Sequence, residues 1–87
     1  MEKPKTFRER LILADGQQLK HTGYREKGFM GEKEFDDYDV VDATGAVVGS
    51  VTHHRHIAVR GFERSEMVEQ RDADGKLIVN ERWTPAE

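Results

Sequence analysis

The sequence predicts an all-β domain, mainly antiparallel, folded as a small meander sheet or open barrel of about five or six strands with room for one short helix. Two observations carry this. The stretches "LADGQ" (13–17), "VDATGAV" (41–47) and "RDADGKL" (71–77) each place Gly where a hairpin needs positive φ, between β-branched or aliphatic flanks. In addition, Leu77, Val79 and Trp83 alternate with Lys76, Asn80 and Arg82 at the strand period of two.

The elements follow in chain order. In the first turn, a three-residue Ala14-Asp15-Gly16 loop sets Leu11 opposite Leu19, with Phe7 and Leu13 on the same face. A helix competes over residues 6–15, because Thr6 and Glu9 have capping-box spacing and Phe7 and Leu11 share a helical face. The strand is preferred, since the Ile12-Leu13 run and the Asp-Gly signal suit it better. Residues 20–34 hold Gly23, Gly28 and Gly31 among many charges and read as a long mobile connection.

The middle hairpin is the best determined. With Ala43, Thr44 and Gly45 as a three-residue loop, Val41 faces Val47, Val40 faces Val48, Tyr38 faces Ser50 and Asp36 lies opposite Thr52. Apolar side chains on both sides mark this pair as the centre of the sheet, covered on both faces. The third hairpin joins "SEMVEQR" to "KLIVNERW", although the first arm alternates poorly and residues 63–71 could instead form a short helix. Trp83, the one tryptophan, is read as core. Residues 1–5 and 84–87 are expected to fray.

At 87 residues the chain is one domain, 1–87, because so short a chain buries only about 60–65% of its unfolded surface. A deep water-excluding cavity is therefore not expected. There is no cysteine, which excludes thiolate nucleophiles, thiolate metal sites and disulfides. The first residues contain no apolar run fit for a signal peptide or membrane span, so the expectation is a soluble, cytoplasmic protein with no membrane partner.

The net charge of -3 conceals an asymmetry: residues 1–34 carry eight Lys and Arg against six Asp and Glu, and residues 35–87 carry six against eleven. Only the first third could therefore supply a basic surface for nucleic acid, while the acidic remainder suits a protein partner. Protein binding is assigned to "GYREKGFMG", where Tyr24, Arg25, Phe29 and Met30 are residue types enriched at interface hot spots, with Asp36, Asp37 and Asp39 adding complementary charge. Tyr24 and Phe29 could instead fold back as a lid over the sheet, and a homodimer through that face would satisfy both arrangements. Nucleic acid is the alternative, with Lys20, Arg25 and Lys27 tracking phosphates on a single strand. A third route is strand addition at an edge, around Ile57 and Val59 or at the strand ending in Trp83.

The segment "SVTHHRHIAV" (50–59) packs three histidines into four positions. On a strand His54 and His56 share a face, and the register above puts Asp36 diagonal to His54, so these three are the weak metal candidates. Solvated imidazoles at a hairpin end are the simpler reading, and proton uptake beside the acidic "FDDYD" run is an intermediate one. Ser50 and Ser65 stand in no nucleophile-elbow context, and no phosphate-cradling loop exists. No enzyme and no cofactor are expected; the function read from the sequence is a non-catalytic binding module in an accessory, regulatory or inhibitory role.

Overall fold

Two pentapeptides, Asp42-Ala43-Thr44-Gly45-Ala46 and Asp72-Ala73-Asp74-Gly75-Lys76, build the same turn. In each, the Asp N–H donates to the carbonyl four residues on (2.9 Å) and the Gly N–H returns to the Asp carbonyl (3.0 Å). Gly45 and Gly75 hold φ of 88° and 82°, where a side chain would be strained. The Asp carboxylate then accepts two backbone N–H groups, from Thr44 and Ala46 or from Asp74 and Lys76.

The computed structural model describes residues 6–28, 31–57 and 64–85. Its strands are β1 (Gln18–Lys27), β2 (Lys33–Val41), β3 (Val47–Ile57), β4 (Arg64–Asp72) and β5 (Leu77–Trp83), joined as one antiparallel sheet in sequence order. The all-β meander expected from the turns is therefore present, as an open sheet with β1 and β5 at its edges. Among the described residues no helix is long and apolar enough to cross a membrane.

Several local expectations are corrected. Val41 does face Val47, but a bulge follows: Val40 pairs with Gly49, and Val48 is the extra residue. Tyr38 therefore faces Val51 rather than Ser50, and Asp36 faces His53 rather than Thr52. One residue of slip exchanges the faces of β3 relative to β2. Residues 20–34 are largely strand, since β1 runs to Lys27 and β2 starts at Lys33. Residues 64–72 are strand rather than helix. Ile57 ends the central strand β3 and so offers no edge, whereas Val59 lies outside the described residues.

The first arm makes no hairpin. A 3-10 turn at Arg8–Arg10 follows Thr6, whose hydroxyl accepts the Glu9 N–H (3.4 Å), which is one half of the capping box. Residues 7–12 then cross one face of the sheet as a strap. Phe7 stacks on His53 (4.3 Å between centroids) and on Tyr38 (5.5 Å), Arg10 lies 4.0 Å over the Trp83 ring, and Ile12 is held by Gln70. The Gln70 amide accepts the Ile12 N–H and donates to the Ile12 carbonyl, both at 2.8 Å, so a side chain satisfies the backbone as a neighbouring strand would. Gln17 N–H closes the turn onto Ala14 carbonyl (3.0 Å), with Gly16 at φ 80°, and leads into β1.

The strap explains where the core sits. Val40, Val51, Val68 and Val79 are buried together on the covered face, with Phe7, Leu11, Leu19, Tyr38, Val48 and Trp83 packed around them. Trp83 thus borders the core as its sequence position suggests. The other face has no cover among the described residues, so the central hairpin is shielded on one side only. The molecule is accordingly flat, 45 × 36 × 19 Å.

Candidate functional site

Strand alternation sorts the charged residues onto the two faces. The covered face receives His21, Tyr24, Glu34, Asp36, His53, Arg55 and Glu66; the open face receives Lys20, Arg25, Lys27, Lys33, Phe35, Asp37, Asp39, His54, His56, Met67, Glu69, Arg71 and Arg82.

The residues assigned to a protein partner do not form one surface. Tyr24 stands on the strap-bearing side of β1, where its hydroxyl shares its one proton between Glu26 (2.8 Å) and Glu34 (2.9 Å). The Glu26 hydrogen bond pushes the phenol above its ordinary range, with Glu34 adding to it. Arg25 points to the opposite side, gripping Asp37 through Nε and Nη2 at 3.0 Å each. Asp36 belongs with Tyr24 and is held by Arg55 and by His21 (2.9 Å), while Asp37 and Asp39 lie on the open face. Phe29 and Met30 lie outside the described residues.

The nucleic-acid set does come together. Lys20, Arg25 and Lys27 share the open face of β1, because a bulge between His21 and Gly23 restores the phase after Lys20. The metal candidates do not: His54 and His56 are on the open face and Asp36 is on the other. Among the described residues no cluster of three His, Cys, Asp or Glu is arranged to hold a metal ion.

His53, the histidine excluded from that trio, is the buried one. It is 6% exposed, lies between Phe7 and Trp83, and its Nε2 sits 2.6 Å from Glu66 Oε1. Enclosed by the strap, this pair satisfies its own polar atoms and serves the core. His54 is different. Burial lowers its pKa below the usual value of 6.5, with Arg25 and His53 pulling the same way against Glu69 and Asp37.

Sequence reasoning missed Phe35, Met67 and Arg82. Phe35 meets His54 edge-on (4.7 Å, 73°) and lies under the Arg25 guanidinium (5.0 Å) and the Lys27 ammonium (5.8 Å). Arg82 reaches Met67 Sδ (Nη2 at 3.9 Å). A groove of about 330 Å³ opens here, lined by Lys33, Phe35, His54, His56, Met67 and Arg82 among others. The locating signal was Gly49, whose approach to β4 leaves no space for a side chain and marks the irregular register that sets the faces.

The open face is also where positive charge collects. Six cations, Lys20, Arg25, Lys27, Lys33, Arg71 and Arg82, share it with three carboxylates, in a chain whose net charge is -3. Asp37 is taken by Arg25, and Glu69 by Arg71 (3.9 Å) and His54 (4.0 Å). Lys20, Lys27, Lys33 and Arg82 have no carboxylate within ion-pairing distance among the described residues. The chain matches no protein-family model, and no curated protein or solved structure is similar to it at a significant level.

Proposed function

We propose that this protein is a soluble, cytoplasmic, non-catalytic binding module that holds an acidic segment of a partner protein on its open sheet face. One observation carries the reading: the strap covers one face, while the other has no cover among the described residues and there bears Lys20, Lys27, Lys33 and Arg82 without a carboxylate in ion-pairing distance, the last three around Phe35 and Met67, in an acidic chain. Charge segregation of this kind steers a complementary partner and sets the side it approaches from. The apolar and aromatic groups among the cations supply contact area once the partner docks.

Single-stranded nucleic acid is the second reading, favoured by the alignment of Lys20, Arg25 and Lys27 along one strand beside an aromatic ring. Against it, Asp37 already neutralises Arg25, and Asp39 interrupts the basic track opposite Lys20.

A pull-down with the wild-type protein, a Lys20→Glu/Lys27→Glu variant and an Ile12→Ser control on the strap separates these readings. A protein retained after nuclease treatment by wild type and control, and lost from the charge-reversed variant, supports the protein reading. Retention by all three overturns it, and retention that disappears with nuclease transfers the face to nucleic acid.

A further inference from the structure

We infer that the groove at the Lys33 end of the open face is a binding site for a phosphate monoester borne on an aromatic side chain of the partner protein. This rests on the reading of the open face as the working surface and adds the chemistry of its anchor.

The floor of the groove follows from cross-strand register. Phe35, His54, Met67 and Arg82 pair in sequence across β2, β3, β4 and β5, and so form one row perpendicular to the strands. His54 stands edge-on to Phe35, and the Met67 thioether lies beyond it. Aromatic edges and a polarisable sulfur favour a flat ring over an aliphatic chain. The volume of about 330 Å³ admits one such ring with a head group rather than a run of stacked bases.

The rim comes from the next row. Lys33 pairs with His56 and His56 with Ser65, bringing an ammonium, an imidazole and a hydroxyl to the same end as the floor. Arg82 closes the opposite side, its guanidinium laid toward Met67. Lys33 and Arg82 are both without a carboxylate partner among the described residues, and two cations balance a dianion better than a carboxylate. Glu66, the one carboxylate lining the groove, is engaged by His53 from the covered side.

The same layout disfavours a polyanion. Beyond the groove the open face sets Asp37, Asp39 and Glu69 against Lys20, Arg25, Lys27 and Arg71, so charge there is nearly balanced and the Lys33 and Arg82 pair at the groove suits a single doubly charged group.

The test is an amide-resolved NMR titration of the full chain with four probes: phenyl phosphate, a short phosphotyrosine peptide, its unphosphorylated twin and inorganic phosphate. Saturable shifts at Phe35, His54, His56 and Met67 are expected with both aryl phosphates, at least about tenfold tighter than with the other two probes. Lys33→Gln and Arg82→Gln, made singly, should each weaken phenyl phosphate several-fold while keeping wild-type dispersion and Tm. Absence of shifts from both aryl phosphates, or equal affinity for the unphosphorylated twin, overturns the inference. Binding of phenyl phosphate with exclusion of the peptide overturns the partner-borne source. Failure here with nuclease-resistant capture intact refutes the groove alone; the converse refutes the protein partner.

Discussion

Gln70 shows how much a single side chain contributes in so small a domain. It is 3% exposed and satisfies both backbone groups of Ile12, so Gln70→Leu would leave those groups unpaired against the sheet. A loss of about 1–3 kcal/mol is expected in urea denaturation, together with faster amide exchange across residues 10–13. Gly49 is constrained in the opposite sense. A Cβ there would lie 2.6 Å from the Arg71 carbonyl oxygen, so Gly49→Ala must push β3 and β4 apart at a cost of about 1–3 kcal/mol, readable as a lower denaturation midpoint.

His54 carries a pH dependence of definite sign. Its folded pKa is lowered, chiefly by burial, so below the ordinary value of 6.5 the unfolded chain binds the proton more readily. The stability associated with neutral His54 is therefore complete above that range and declines as pH falls through it. Urea midpoints compared between about pH 7.5 and pH 5.5 should drop in wild type and drop less in His54→Gln. An equal drop in both proteins would remove His54 as the source.

Among the elements, the strap decides how well the core is closed. The four core valines come from β2, β3, β4 and β5, and Phe7 and Leu11 cover them. Phe7→Ala should lower stability by about 2 kcal/mol, less than a fully buried Phe because the ring is only half-buried, and should shift Trp83 fluorescence as water reaches His53. The strands were legible because their turns are chemically unambiguous: Asp42 and Asp72 each use one carboxylate to collect the loop N–H groups, and the glycine three residues later takes the positive φ. The strap was not legible. Phe7 and Leu11 fit a strand, the preferred reading, or a helix, and the strap's anchors, His53 under Phe7 and Gln70 on Ile12, are polar residues that no hydrophobic pattern selects. Residues 20–34 were misread for a related reason: charge density resembles a loop when the strand is an edge with one face open to water.

For the whole molecule, the decisive detail was one extra residue at Val48. It leaves the hairpin intact but exchanges every β3 side chain beyond Val48 between faces, which buries His53, aligns His54 with Phe35, and separates both open-face histidines from Asp36. Composition cannot register such a slip, so the all-β class was readable while the surface of the candidate site was not. The resulting segregation of charge has a measurable consequence: association through the open face should weaken steeply with added salt, and the Lys20→Glu/Lys27→Glu variant should flatten that dependence without lowering Tm, since neither lysine packs in the core.

The strap also fixes an order of events during synthesis. Its anchors lie far along the chain: Ile12 waits for Gln70, 58 residues on, and Arg10 for Glu81, 71 residues on. The hairpins can close locally as each turn emerges, whereas the covered face stays wet until β4 and β5 are in place. The strap thus leaves the ribosome before its partners and finds its seat after them, and until then the four core valines are a surface the nascent chain must keep from its neighbours.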